Sequence, residues 1–427
     1  RVGALAAGRP PFYEPGLAEL LERVTREGCL RFAVAPASEQ LARAELHFIT
    51  VGTPQSDDGS ADLSHVEAAV EALRGALTAG SGAVVVGKST VPVGTASRLA
   101  ESLAPRGAAL VWNPEFLREG RAVEDTLHPD RIVYGLPGDP VLARRGQEAL
   151  DAVYAPLLAE GVPRIVTNHP TAELVKVAAN SFLATKISFI NAMAEVCEAT
   201  GGDVVALAEA LGYDERIGAA FLRAGVGFGG GCLPKDIRAF VARAEELGVR
   251  EAVSFLEQVD AINRRRRDRV VALAERCLGG SPEGARVVVL GAAFKPDSDD
   301  IRDSPALEVA RRLHERGARV RVCDPRALDA IRRHHRGLET VREPLAALED
   351  ADLVLLLTEW NEFVRLDPDE AADRVATPVV IDGRNALDAR RWREAGWTHL
   401  GLGRPRLVPA LRTRALRRAR SPRKVPR

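Results

Sequence analysis

The chain has 427 residues, 46% of them hydrophobic and 28% charged, with 59 basic and 59 acidic side chains. That length suits two or three globular domains, and no apolar run approaches the ~18–20 residues of a membrane span. Nine basic residues and no acidic one fall between Pro405 and Arg427, so the rest of the chain is net acidic, which excludes a nucleic-acid-binding body.

Five cysteines at irregular spacing, with no Cys-x-x-Cys pair, exclude a disulfide framework and a four-cysteine zinc site. No metal is expected, no membrane is an expected partner, and a reducing cytoplasm is the expected compartment. Only six basic residues are lysines: Lys88, Lys176, Lys186, Lys235, Lys295 and Lys424. Against so strong an arginine bias, a retained lysine points to a need for a compact or titratable ammonium. The chain opens at Arg1 and its only methionine is Met193, so the natural start is expected upstream.

Residues 1–168 alternate short β-rich runs with helical patterns. Segments 46–51, 83–86, 109–112 and 131–134 read as buried strands, with helices over 62–77 and 95–103 between them. That rhythm predicts a parallel, doubly wound sheet. Residues 169–279 change to helices: a long one over 171–200, then 204–211, 234–247 and 251–277, interrupted by the Gly-rich segment 225–231. A long helix between two α/β units suits a spine and a dimer surface. Strand-like runs return at 286–290, 319–323, 353–357 and 379–381, with helices over 305–316 and 326–335. The predicted fold is therefore α/β, with two Rossmann-like doubly wound parallel-sheet domains, 1–168 and 280–404, joined by a central helical domain. Residues 405–427 read as a basic disordered tail.

Gly225-x-Gly227-x-x-Gly230 spells a dinucleotide fingerprint, but no strand precedes it and no acidic residue closes a following strand. These glycines are better read as a loop that lets a substrate approach backbone N–H groups. The loop runs into Cys232-Leu233-Pro234-Lys235-Asp236. Pro234 suits the first turn of a helix, which sets Cys232 at a helix N-terminus. The partial positive charge there, with Lys235 nearby, is expected to favour thiolate and make Cys232 a nucleophile rather than a small buried residue. Lys176 and Asn180, four apart, share one helix face. Either Lys176 pairs with Glu173 on its own helix, or Lys176 and Asn180 face a cleft and stabilise an oxyanion. Gly52-Thr53-Pro54, Lys88 to Pro92 and Asn113 to Gly120 each follow a strand, where open parallel sheets bind ligands. Glu115 and Glu119 there could order water, or belong to a solvated loop. Phe294-Lys295-Pro296-Asp297 occupies the same place in the second α/β unit.

As an ordered set these segments resemble the UDP-glucose/GDP-mannose dehydrogenase family. The marks are Tyr13-Glu14-Pro15-Gly16-Leu17, Gly52-Thr53-Pro54, Lys88 to Gly94, Asn113 to Gly120, Glu173 to Asn191, Gly227 to Asp236, Phe294 to Pro305 and Asp382-Gly383-Arg384-Asn385. The resemblance runs from Arg1 to about Arg404. It implies a homodimeric enzyme that oxidises the C6 alcohol of UDP-glucose, or a similar nucleotide sugar, to a carboxylate with two NAD. It implies Cys232 as the nucleophile that forms a thiohemiacetal and then a thioester, with Lys176 and Asn180 at the oxyanion. Asp236, Thr90 and Glu115 would position water and move protons. Glu119 would shape the sugar and cofactor sites, and Gly52, Thr53, Pro54 and Thr90 would line the cofactor. Phe221, Gly229, Lys235, Lys295 and Arg384 would hold the nucleotide sugar, while Arg216 reaches the neighbouring subunit's sugar and Arg302 its cofactor.

Two departures accompany the resemblance. The family opens with a strand, a Gly-rich turn, a helix and a strand ending in an acid, roughly 30 residues that would precede Arg1. Leu233 and Val177 stand where the family more often has aromatic residues. Competing readings are a dehydrogenase of GDP-mannose or a UDP-N-acetylhexosamine, and a non-catalytic nucleotide-sugar-binding remnant. Val91-Pro92-Val93 and Phe116 to Gly120 favour the UDP-glucose branch.

Overall fold

The computed structural model describes residues 2–34 and 38–405, so the predicted tail lies outside the described residues from 406 onward. The first sheet contains β1 (Leu46–Ile49), β2 (Val84–Gly87), β3 (Ala109–Trp112), β4 (Ile132–Leu136) and β5 (Arg164–Asn168), hydrogen-bonded in that order. Every residue of β2 and β3 is buried. Alternate side chains feed two cores. Val85 and Leu110 pack with Val66, Val70 and Leu99 from helices Ser64–Ala76 and Thr95–Leu103, whereas Val84, Val86 and Val111 pack with Leu150 of helix Pro140–Val153. Continuous apolar strands covered on both faces are what a doubly wound sheet requires.

The strands are not all parallel. β1, β2 and β3 run together, β4 is antiparallel to β3 through the single pair Trp112 and Gly135, and β5 is parallel to β4. An antiparallel neighbour starts at the edge where β3 ends, so the connection, which holds the six-residue helix Ala122–Leu127, does not have to cross back along the sheet. The link therefore stays at the carboxyl edge of β3, which gathers Asn113 to Arg121 at one end of the sheet. Among the elements that the sequence reading does not include are β5, helix Leu17–Arg26 and helix Pro140–Val153. β5 is an exposed edge strand with no buried residue to mark it, and helix Pro140–Val153 begins from Asp139, whose carboxylate accepts from the N–H groups of Val141 and Leu142.

β5 leads straight into the helix His169–Thr200, 32 residues long. Asn168 caps it by accepting from Thr171 N, and Gly201 ends it in the left-handed region at φ 79°. At ~1.5 Å per residue it spans about 48 Å. No described helix is long and apolar enough to cross a membrane. Helices Leu233–Glu246 and Phe255–Cys277 pack on it. The helix predicted over 251–277 is divided at Ser254, whose hydroxyl bonds back to the Glu251 carbonyl, leaving a separate turn Arg250–Val253.

The second sheet holds β6 (Arg286–Leu290), β7 (Arg319–Cys323), β8 (Glu339–Thr340), β9 (Leu353–Leu356), β10 (Val379–Asp382) and β11 (Thr398–Gly401). Its order is β11-β10-β9-β6-β7-β8, and all pairs are parallel. β8 and β11, the two edges, are short or mixed in polarity and escaped the sequence reading.

Candidate active site

Cys232 is the N-cap residue of helix Leu233–Glu246, with Pro234 in its first turn. The Gly-rich segment before it is pressed against the C-terminal domain. A Cβ on Gly229 would overlap the Asp303 carbonyl oxygen, and one on Gly231 would overlap the Arg302 guanidinium. The loop N–H groups are largely engaged by the protein itself: Gly225 N to Asn191 Oδ1 at 2.8 Å, Val226 N to Gly383 O at 2.9 Å, Phe228 N to Asn263 Oδ1 at 2.8 Å and Gly230 N to Arg302 O at 2.9 Å. Of the loop's glycines, Gly225 and Gly230 thus give their N–H groups to the protein itself rather than to a substrate. They let the loop dock closely on its own neighbours.

The long helix presents Lys176 and Asn180 to Cys232's surroundings. Lys176 Nζ lies 3.0 Å from Glu115 Oε1, and Asn180 Nδ2 donates to Asp236 Oδ2 at 2.6 Å. Lys235 Nζ donates to the other oxygen of Asp236 at 2.7 Å. Lys176, Asn180 and Asp236 are all buried. The intrahelical alternative is not realised. Glu173 instead accepts from the N–H groups of Gly94 (2.7 Å) and Ala96 (2.6 Å), at the start of helix Thr95–Leu103.

The thiol's electrostatics also differ from expectation. Cys232 is open to solvent at its surface, yet protein surrounds most of it, and this desolvation pushes its pKa up. Asp236 and Glu119 push the same way and Lys176 opposes them. The helix start and Lys235 do not make it a resting thiolate. Asp236 neutralises Lys235 and stands on the helix face four residues from the sulfur.

Thr53 and Thr90 join the loops after β1 and β2, through Thr53 Oγ1 donating to Thr90 O at 2.8 Å; Ser89 Oγ donates to Val51 O at 2.6 Å. A Cβ on Gly52 would meet nothing, so this edge is open. Thr90 also borders a recess shared with Val177, Lys235 and Asp236. Lys88, next to it, donates to Asn113 Oδ1 at 2.9 Å and Tyr154 Oη at 3.2 Å, and burial lowers its pKa to about 8. It lies beside a cavity of about 140 Å³ that Glu115 also lines.

The opposite wall comes from the C-terminal domain. Glu119 accepts from Arg302 Nη2 at 3.3 Å and Ser298 Oγ at 3.4 Å. Burial, then Asp300, raises its pKa against the pull of Arg302 and Lys295. Burial lowers the Lys295 pKa, opposed by Glu119 and Glu14. Asp297 (φ 60°) and Asp303 (φ 46°) hold this loop in the left-handed region, as does Phe221 (φ 64°) in the Gly-rich approach. Such strain gathers at functional sites. Arg302, packed over Gly231 of its own chain, also holds Asp300 at 2.7 Å.

Arg384 braces rather than opens the site. It donates to Leu357 O (2.7 Å), Gly227 O (3.1 Å) and Phe294 O (3.1 Å). Arg216 stands apart, with its side chain 89% exposed and paired with Asp214 at 2.6 Å. Sequence reasoning missed Asn263, which is fully buried and bonds Phe228 in both directions (2.8 and 3.0 Å). An amide one turn beyond the buried Val259 was the available signal.

Two α/β sheets that bring a helix-capping cysteine, a buried lysine–carboxylate pair and an amide to one crevice define a dinucleotide-dependent oxidoreductase. The sequence matches the NAD binding domain of the UDP-glucose/GDP-mannose dehydrogenase family over residues 1–158, its central domain over 170–265 and its UDP binding domain over 288–389. It is 40% identical over 410 residues to a UDP-glucose 6-dehydrogenase of Rhizobium meliloti, covering 95% of this chain and 92% of that protein. It is also 40% identical over 420 residues to one of Pseudomonas aeruginosa, covering 95% and 90%. A UDP-glucose dehydrogenase structure from Pyrobaculum islandicum superimposes with a TM-score of 0.83 at 41% identity, over 94% of this chain and 90% of that one. The chain belongs to the UDP-glucose/GDP-mannose dehydrogenase family.

Proposed function

We propose that the protein oxidises UDP-glucose to UDP-glucuronate with two NAD, through a covalent adduct on Cys232. The observation that carries this reading is the meeting of Cys232 with Lys176–Glu115 and Asn180–Asp236 between a NAD-type and a UDP-type domain. NAD would be held along Gly52-Thr53-Pro54, Thr90 and Glu119 and would supply the hydride acceptor for each oxidation, while the proton on the C6 oxygen passes to the proton-moving group Asp236, Thr90 and Glu115. The open carboxyl edge of β1 and β2 fits such a group.

Cys232 Sγ adds to the C6 aldehyde carbon and gives up its proton. Because the thiol's pKa is raised, a base must take that proton as the bond forms, and we assign this to the Glu115 carboxylate that Lys176 pairs with. The oxyanion is met by a free N–H of Lys176 Nζ and the second N–H of Asn180 Nδ2, the first being held by Asp236. After the second oxidation the adduct is a thioester. Asp236, Thr90 and Glu115 position the water that cleaves it, releasing the acid and restoring the thiol.

Lys235, Lys295, Phe221, Gly229 and Arg384 are the residues we assign to the nucleotide sugar. Arg216 and Arg302 are assigned to the partner subunit's sugar and cofactor. The dimer is supported by Phe182, Phe189 and Val196, seven residues apart on the long helix and 67%, 49% and 52% exposed. That stripe suits a helix-to-helix seam. A nucleophilic thiol and a dinucleotide co-substrate suit the cytoplasm.

The test is a panel of nucleotide sugars assayed for NADH. We expect two NADH per UDP-glucuronate, and Cys232→Ser to stop acid formation. Turnover of only another nucleotide sugar would reassign the substrate, and undiminished acid from Cys232→Ser would sink the covalent route.

A further inference from the structure

Residues 13 and 14 join the two walls of the crevice, and the reaction above uses neither. Glu14 is buried, and its two carboxylate oxygens accept separately from Gly120 N at 2.8 Å and Ala122 N at 2.7 Å, both in the first domain. Tyr13 faces the other domain. Its N–H donates to Asp299 Oδ2 at 3.1 Å, and the Arg326 guanidinium lies 4.0 Å from its ring centre. The turn that Glu14 holds touches the C-terminal domain directly. Gly120 has φ 77°, and a Cβ there would fall 2.6 Å from the Asp297 carbonyl oxygen. The residue before it is Glu119, which meets Ser298 and Arg302 across the crevice.

We propose that Tyr13 and Glu14 form a clasp, in which Glu14 positions Glu119 and Tyr13 makes that position depend on the seating of the C-terminal domain. The two halves of the clasp differ in kind. A carboxylate that accepts two backbone N–H groups fixes a turn in one geometry. A guanidinium over an aromatic face tolerates sliding and can break without leaving a buried charge unpaired. The Tyr13 side therefore releases first, and the Glu14 bonds to Gly120 N and Ala122 N then open more often. When it releases, the 119–122 turn loses its backing at Asp297, and Glu119 loses its register against Ser298 and Arg302. The cofactor-side wall then takes its working shape only when the nucleotide-sugar domain is in place.

Hydrogen exchange read by mass spectrometry tests this on the intact protein, without any ligand. Arg326 is exposed, so Arg326→Ala leaves the core intact. It lies in the C-terminal domain, yet we expect it to speed exchange in a peptide spanning 119–122 of the first domain about fivefold. Tyr13→Ala should do the same, and Tyr13→Phe, which keeps both ring and N–H, should leave exchange as in the wild type. Unchanged exchange at 119–122 in both Arg326→Ala and Tyr13→Ala would overturn the clasp. So would an equal rise in Tyr13→Phe. A kinetic arm rests on the reaction proposed above: Arg326→Ala should raise KM for NAD severalfold and leave KM for UDP-glucose within about twofold. Equal changes in both would count against positioning. A wild-type protein that makes no NADH would refute the reaction, while the exchange result would still decide the clasp.

Discussion

Replacing Asp236 by Asn should make Cys232 more reactive while making the protein a worse catalyst. Asp236 is buried, accepts from Asn180 and Lys235, and is among the charges that hold the Cys232 thiol protonated. Residues four apart on a helix lie about 6 Å from each other. At an effective dielectric of ~20, a unit charge at that distance acts on the sulfur with roughly 3 kcal/mol. Lys235 and Asn180 offset much of this in the wild type. In Asp236→Asn the negative charge is gone and the Lys235 ammonium remains, so both changes favour thiolate. We expect iodoacetamide to label Cys232 about tenfold faster near pH 7, with the exposed Cys29 as an internal control. Turnover should fall by about 10²-fold or more, because the group that positions water is lost. Mass-spectrometric mapping across pH gives the first quantity and NADH absorbance the second. Slower or unchanged labelling of Cys232, with Cys29 steady, would refute the electrostatic account of the site.

Two further outcomes follow from buried polar groups. Lys88 titrates at about 8 in the fold against 10.5 normally, because burial disfavours its charged form. The unfolded chain therefore binds the extra proton between those values, and this lysine's cost to stability is full below pH 8 and relieved as pH rises to about 10.5. In urea unfolding, wild type should gain about 2 kcal/mol on Lys88→Met between pH 7 and pH 10; a constant gap would refute the assignment. Asn263→Ala should destabilise by about 1–3 kcal/mol, since it leaves the Phe228 N–H buried without its partner and the Phe228 C=O with only Arg267 Nη2 at 3.3 Å; a loss under about 0.5 kcal/mol by the same measurement would show that the Gly-rich loop is held by other means.

The parts of the fold legible in sequence were those where burial writes a pattern. Val287 to Leu290 and Leu353 to Leu356 are unbroken apolar runs because both faces of the second sheet are covered. β5 carries no such run because it lies at an edge. The reversal between β3 and β4 leaves no mark in the sequence, because Ala109–Trp112 and Ile132–Leu136 are largely buried runs whichever way they point. Within the site, local spacing was informative. Lys176 and Asn180 share a helix face, and Cys232 caps a helix, as spacing implied. What spacing could not show was pairing across the chain, such as Lys176 with Glu115. The thiol's electrostatics differ from expectation for a similar reason: burial raises its pKa first, and spacing cannot show burial; Asp236, which pairs with Lys235, then adds to it.

The single ladder pair between β3 and β4 gives the first sheet a mechanical seam. On one side lie β1 to β3, whose loops carry Gly52 to Pro54 and Thr90. On the other lie β4 and β5, continuous with the long helix at Asn168 and His169. Side chains supply further hydrogen bonds across the seam: Asn113 Nδ2 to Val133 O at 2.9 Å, His169 Nε2 to Leu110 O at 2.9 Å and Tyr154 Oη to Asn113 Oδ1 at 2.6 Å. A sheet yields first where its main-chain ladder is thinnest. Bending there would tilt the cofactor loops against the spine as a stiff plate turns on a hinge, with every strand on either side intact.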